Sequence, residues 1–268
     1  MAADCERVYQ TSGIEGKRPG RVAAVAFRVG RRTVVRADLY AKEATEMTHF
    51  TQPTDLELAA LISSKICHDV INPVGAIYNG LEILTEEEDA DAKAYALDVI
   101  RNVTEQASAR LQFARFAFGA SGSIGSLIDL TTAEQISRGF VGNGKHKLVW
   151  TAEPGHVGKD RVKLLLNMVA LGMTALPRGG EIVVSMKGPF EKATFDVRCK
   201  GTGARVPQHL AEFLGAGQRP ELNSMSIQAY YTTRLAETAV MRLEVVRDVA
   251  DVVMIARNPV VGRQRLRD

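Results

Sequence analysis

The chain has 268 residues, 46% of them apolar and 24% charged, a globular balance that excludes a disordered or collagen-like polymer and suits one large domain or two ordinary ones. Aromatic residues make up only 6%, which argues against an aromatic stacking platform for single-stranded nucleic acid. The formal net charge of +3 arises within residues 1–46, which hold nine Lys/Arg against six Asp/Glu; the other 222 residues carry 25 of each and show no basic cluster for a nucleic-acid backbone.

Residues 1–46 read as a separate segment. Gly13, Gly16, Pro19 and Gly20 break it early, and two short β-like runs, 22–29 and 33–35, flank Gly30-Arg31-Arg32. No apolar stretch is long enough for a secretory leader. The segment is expected to be an extension, either disordered or not part of the native protein, with the functional chain starting near Met47.

From Asp55 the pattern becomes helical. Thr54 offers an N-cap, and Asp55 and Glu57 put acids in the first turn, where the helix dipole favours them. Ile62, Ile66, Val70, Val74, Ile77, Leu81 and Leu84 recur at spacings of four and three, within an arc of about 120°. The helix is predicted to run to about Thr85. An acidic connection, 86–91, leads to a second helix with Ile100, Val103, Ala107, Leu111 and Ala114 on one face and a stop near Gly119. Two long helices on a short loop are expected to pack antiparallel, and a lone hairpin cannot bury its apolar stripe. A second copy would complete a four-helix bundle, so a homodimer is expected.

Ser121-Gly122-Ser123-Ile124-Gly125-Ser126 marks a flexible break. Beyond it the pattern predicts helices over 131–140, 159–176, 208–214 and 224–238. Strands are predicted over 147–151, 181–187, 192–199, 241–246 and 251–256. That order suits helices layered on a mostly antiparallel sheet, an α+β domain. The longest apolar runs fall well short of the ~18 residues of a membrane helix. Cys5, Cys67 and Cys199 are odd in number and widely spaced, which suits neither a disulfide framework nor a zinc site. A soluble protein of the reducing cytoplasm is expected.

His68 has the most unusual setting of the five histidines. On the helical wheel it lies about 180° from the centre of the apolar stripe, on a face shared with Ser64, Lys65, Ile71, Asn72, Gly75 and Asn79. An exposed imidazole beside an exposed Ile and a gap at Gly75 reads as a docking spot. Pro73 removes the helical hydrogen bond to the Asp69 carbonyl and is expected to bend the helix. A solvated surface histidine near a proline kink accounts equally well for this geometry alone. The chemical case for phosphoryl transfer is that free imidazole, with a pKa near 6.5, is roughly three quarters neutral at pH 7 and nucleophilic. Its phosphoramidate is labile enough to pass the group to a carboxylate. Asp69 could hold the second ring N–H, Lys65 could neutralise phosphate oxygens, and Asn72 could hydrogen-bond the phosphoryl group or an attacking water.

His68-Asp69-Val70-Ile71-Asn72-Pro73 resembles the phosphoacceptor box of dimeric histidine kinases, His-acid-x-x-Asn/Thr-Pro, on the first helix of a hairpin. Cys67-His68-Asp69 with Pro73, Leu111-Gln112-Phe113-Ala114-Arg115, and Ala117-Phe118-Gly119-Ala120-Ser121 are similar to the alphaproteobacterial histidine phosphotransferases, from about Asp55 to the C-terminal strands. The resemblance implies an α+β chain. Its N-terminal helical hairpin would form a dimeric four-helix bundle, followed by an α/β sandwich resembling the histidine-kinase ATP-binding (Bergerat-type) domain. The divisions are then 1–46, the extension; 47–120, the dimerisation and phosphotransfer hairpin; 121–127, a linker; 128–258, the degenerate ATPase-like domain; and 259–268, a basic tail.

In a working ATP-binding domain the first box reads Leu-x-Asn-x-x-x-Asn-Ala before a Gly-Gly. Here Leu165-Leu166-Asn167 and Gly179-Gly180 are kept, but Leu171 replaces the Asn that binds Mg²⁺, and Thr174 stands where a basic residue often sits. The Asp-x-Gly-x-Gly box reads Cys199-Lys200-Gly201-Thr202-Gly203, without the Asp that reads adenine. The Gly-rich lid has only Gly215-Ala216-Gly217 as a candidate. His49, His146, His156 and His209 are scattered and are expected at the surface or in loops.

The resemblance thus implies a histidine phosphotransfer protein of a multistep phosphorelay. His68 is its phosphoacceptor, aided by Asp69, Asn72 and Lys65, and partners dock over Ser64, Ile71, Gly75 and Asn79. No ATP-dependent kinase activity and no cofactor of its own are expected, Mg²⁺ being supplied by receiver-domain partners. The implied donor is the receiver domain of a CckA-like hybrid histidine kinase, and the acceptors are CtrA-like and CpdR-like response regulators of cell-cycle control. Partners otherwise include no nucleic acid and no membrane. The alternatives are a divergent ATP-dependent histidine kinase, a non-catalytic dimeric adaptor and, most remotely, a nucleic-acid binder using the basic ends.

Overall fold

A computed structural model describes residues 26–29, 32–35, 52–119, 125–215 and 220–259. The elements in chain order are β1 (Ala26–Val29), β2 (Arg32–Val35), α1 (Asp55–Glu86), α2 (Ala90–Ala117), β3 (Leu127–Asp129), α3 (Leu130–Val141), β4 (His146–Trp150), β5 (His156–Gly158), α4 (Lys159–Ala175), β6 (Gly180–Lys187), a 3₁₀ turn (Phe190–Lys192), β7 (Thr194–Lys200), α5 (Gln208–Leu214), α6 (Ile227–Thr238), β8 (Arg242–Asp248) and β9 (Asp251–Arg257). Met47, His49, residues 121–124, the lid candidates Ala216 and Gly217, and the tail beyond 259 lie outside the described residues.

Local chemistry sets the ends of the hairpin. Thr54 and Glu57 form a reciprocal capping box at the start of α1: the Thr54 hydroxyl accepts from the Glu57 N–H at 3.2 Å, and the Glu57 carboxylate accepts from the Thr54 N–H at 2.8 Å. Asp89 caps α2 by accepting from the Asp91 N–H. At the far end a Cβ on Gly119 would sit 2.3 Å from the Arg115 carbonyl oxygen, so glycine alone lets the chain turn away there. The two helices approach closely at Gly80, where a Cβ would lie 2.7 Å from the Ile100 side chain, above a fully buried Ala96.

The predicted apolar stripe of α1 is only half covered in one chain. Pro73 and Gly80 are its buried residues. Val74, Tyr78 and Leu81 are between 50% and 61% exposed, with Leu97 and Leu111 of α2 at 52% and 49%. The face against α2 is thus rotated slightly from the centre of the sequence stripe, because Gly80 permits a close approach to Ile100.

The second part is α+β, as expected from its element order. Seven strands run β1-β2-β8-β9-β7-β6-β4, antiparallel apart from the parallel β4–β6 pair that α4 bridges. Where they are described, the two β-like runs of the N-terminal segment form β1 and β2, and β2 pairs antiparallel with β8, Val34 opposite Val246; the segment is joined to the sheet edge at these residues. A two-stranded sheet, β3–β5, was not predicted: three-residue strands carry too little periodicity to be seen, and Leu127, placed in the linker, begins β3. The inward face of the large sheet carries Ile182, Val184, Phe195, Val197, Cys199, Leu243, Val245, Val252, Met254 and Ala256, all buried against the helices. On β8, the buried Glu244 is held by Arg242, at 3.1 Å, and by Arg257, which offsets the cost of a carboxylate in the sheet.

The hairpin is not a free arm. Phe113 of α2, 2% exposed, stacks on Phe140 of α3 with ring centroids 3.7 Å apart and planes 16° apart. Phe118 meets Tyr231 of α6 at 5.4 Å. Replacing Phe113 with Ala removes the ring at the centre of this contact and is expected to cost about 3–5 kcal/mol. Urea denaturation checks it; a loss below about 1 kcal/mol would mean that the contact does not hold the hairpin in place.

Candidate functional site

The polar face of α1 is where the wheel puts it. The His68 side chain is 71% exposed, and Ser64, Ile71, Asn72, Gly75 and Asn79 are exposed around it. Ile71 is 66% exposed, and among the described residues nothing lies within 4 Å of where a Gly75 Cβ would point, so the face is open and convex. A groove of about 450 Å³ lies elsewhere, between α2 and α3, and includes none of these residues. A convex histidine face suits a macromolecular partner that brings its own concave site.

Two of the supporting roles differ from the expectation. Lys65 is committed to Asp69: its Nζ donates to Asp69 Oδ2 at 2.5 Å, with the two side chains 21% and 31% exposed. It screens the carboxylate rather than standing free for phosphate oxygens. Asp69 Oδ1 lies 3.5 Å from His68 Nδ1, beyond an ordinary hydrogen bond. The carboxylate is on the Nδ1 side of the ring, which leaves Nε2 as the nitrogen away from it. Asn72, one turn further on, remains exposed beside the ring.

The neighbourhood contains one residue that sequence reasoning missed. Pro73 has no N–H, so the Asp69 carbonyl lacks its helical donor. Arg110 of α2 supplies one, its Nη1 donating to Asp69 O at 2.9 Å. Pro73 itself is buried. The available signal was an Arg on an otherwise small and apolar face of α2; its partner, 41 positions away, becomes visible only once the helices are paired.

In the second domain the retained box residues have structural work. Asn167 is fully buried; its Nδ2 donates to Lys163 O at 2.8 Å and to Ala117 O, at the end of α2, at 3.2 Å, and its Oδ1 accepts from Gln228. Leu171 is 4% exposed within the core and offers no oxygen to a metal. Cys199 is fully buried, its sulfur 3.3 Å from where a Gly172 Cβ would lie, and burial pushes its thiol up to about 12. The glycines persist because backbones touch: a Cβ on Gly201 would meet the Gly179 carbonyl oxygen at 2.5 Å, and one on Gly180 the Lys200 carbonyl oxygen at 2.2 Å. These residues do not fit a magnesium nucleotide. Among the described residues no cluster of three or more His, Cys, Asp or Glu could hold a metal, Cys67 and Cys199 are free thiols, and no helix is long and apolar enough to cross a membrane.

The other histidines divide. His146 is a correction: it is 7% exposed on β4, with Nε2 2.9 Å from the Leu176 carbonyl oxygen, because the parallel β4–β6 pairing carries it under the end of α4. His156 is exposed on β5, and His209 pairs with Glu212 at 3.0 Å on α5.

The family model described as histidine phosphotransferase C-terminal domain matches residues 130–251. The protein phosphotransferase ChpT of Brucella abortus (strain 2308) is 44% identical over 203 residues, covering 75% of this chain and 95% of that protein. A solved structure described as a bacterial phosphotransferase is 38% identical, with a TM-score of 0.70, over 77% of this chain and 98% of the other. Identity at this level over nearly all of each relative is that of shared descent with a shared fold: the chain belongs to the histidine phosphotransferase family.

Proposed function

We propose that His68 is the phosphoacceptor of a protein-to-protein phosphoryl carrier in a multistep phosphorelay. The observation that carries this reading is a 71% exposed imidazole whose Nδ1 faces a carboxylate and whose Nε2 lies away from it. The donor is an aspartyl phosphate on the receiver domain of a hybrid histidine kinase. The Nε2 lone pair attacks phosphorus, the acyl P–O bond breaks, and its electron pair stays on the donor carboxylate. The Nδ1 proton, which the ring then holds more loosely, faces Asp69. In the onward step a carboxylate of a second receiver domain attacks phosphorus, the P–N bond breaks and its electrons return to Nε2. Little covalent work falls to this chain, so catalysis is mostly positioning.

Receiver domains dock over Ser64, Ile71, Gly75 and Asn79, where the exposed Ile helps exclude water and the bare Gly75 leaves room for approach. Response regulators serve as acceptors, with CtrA-like and CpdR-like proteins and a CckA-like donor as the partners of this reading. The divalent ion comes with the receiver domain. The second domain binds no ATP, because Leu171 and Cys199 fill with apolar bulk the places of a metal ligand and an adenine reader. The half-covered face formed by Val74, Tyr78, Leu81, Leu97 and Leu111 is the dimer seam of a four-helix bundle, since side chains of this size at this exposure leave several hundred Å² of apolar surface in water. The chain works in the cytoplasm, where such partners signal.

The reading is tested by incubating the chain with a phosphorylated receiver domain. The wild type takes up acid-labile label, and His68→Gln takes up none while keeping its circular dichroism spectrum; a folded His68→Gln that still labels overturns the assignment. Calorimetry with Mg-ATP at millimolar concentration is expected to give no saturable heat, and label passing from ATP to His68 without a partner would restore the kinase alternative. Light scattering at micromolar concentration is expected to give twice the chain mass. Leu111→Asp is expected to dissociate the dimer, since each copy would bury an unpaired carboxylate at several kcal/mol.

A further inference from the structure

Arg110 belongs to the other helix of the hairpin, yet it is tied to the backbone one residue from His68. Pro73 deprives the Asp69 carbonyl of its helical N–H, and Arg110 Nη1 takes that place at 2.9 Å. The bond is charge-assisted, part-buried and made by a side chain from the other helix of the hairpin. It therefore fixes both the rotation of α1 about its axis and its height along α2 at one level, that of His68 and Asp69. The carboxylate of the same Asp69 is held by Lys65 and faces His68 Nδ1. A shift of the Asp69 backbone moves that carboxylate, and with it the group that orients the ring.

We infer that Arg110 is a positioning residue for phosphoryl transfer: it replaces the hydrogen bond that Pro73 removes and so sets where His68 and its Asp69 partner stand. The inference rests on His68 being the phosphoacceptor. It requires that Arg110 matter only because residue 73 is proline. Pro73→Ala restores an N–H four residues beyond Asp69, and in that background Arg110 becomes redundant.

The test uses the full chain and a purified receiver domain phosphorylated on its aspartate, with single-turnover transfer measured across receiver concentrations. Arg110→Met is expected to lower the saturating transfer rate tenfold or more, with the half-saturating receiver concentration unchanged within twofold. Arg110→Lys, which keeps a charged donor, is expected to retain at least a third of the rate. Adding Arg110→Met to Pro73→Ala is expected to change the rate of that variant less than twofold. The inference is overturned by an Arg110→Met protein that transfers within twofold of wild type. It is also overturned by one whose loss is a raised half-saturating concentration alone, which would place Arg110 in docking, or by one whose loss is equally large in the Pro73→Ala background. Should Arg110→Met alone not fold, the double variant decides. Folded and transferring like Pro73→Ala, it supports the inference; unfolded, or tenfold slower, it refutes it. His68→Gln runs alongside: label on that variant counts against the phosphoacceptor assignment, whereas a silent His68→Gln beside a fully active Arg110→Met counts against Arg110 alone.

Discussion

Pro73 removes one N–H from α1, and the carbonyl it would have served accepts instead from Arg110 of α2. A part-buried carbonyl left without a donor costs about 1–3 kcal/mol, enough to favour fraying of the helix at the point where the histidine must be presented. Borrowing the donor from the second helix turns this local defect into a cross-link between helices. Pro73 itself is buried, so the carbonyl it leaves without a donor sits where water is scarce. Helix pairing and the outward aim of His68 are aspects of one constraint.

The circumference of α1 is divided among different neighbours. One side, with Gly80, comes close against Ile100 of α2. A flank carrying Val74, Tyr78 and Leu81 stays largely in water in a single chain. The remaining side carries His68, Ile71, Asn72 and Gly75, all exposed among the described residues. A 32-residue helix is long enough to hold all three in register because 3.6 residues per turn returns each side every three or four positions.

In the second domain the box residues carry packing tasks. Asn167 joins the end of α2 to α4 and α6, and Gly179, Gly180 and Gly201 allow backbones to touch where any side chain would collide. None of these tasks involves a nucleotide. A box motif read by letters alone would credit them to ligand binding, whereas packing accounts for their presence.

The hairpin, its ends, the α+β order of the second domain and the outward face of His68 were legible in the residues. Thr54 and Glu57 cap by local hydrogen bonds, the apolar positions recur with helical period, and His68 falls opposite them on the wheel; each depends on neighbours within a few positions. The short β3 and β5 strands, the buried His146, the pairing of Lys65 with Asp69 and the donor from Arg110 were not. His146 is buried because strand β4 runs parallel to β6, and Arg110 reaches Asp69 because two helices pair in one register. Lys65, four residues from Asp69, had two plausible partners, and sequence spacing could not choose between a carboxylate and a future phosphate. Periodicity and capping are local energies that a sequence displays directly. Which distant group completes a hydrogen bond is decided only when the chain has folded and brought the two together.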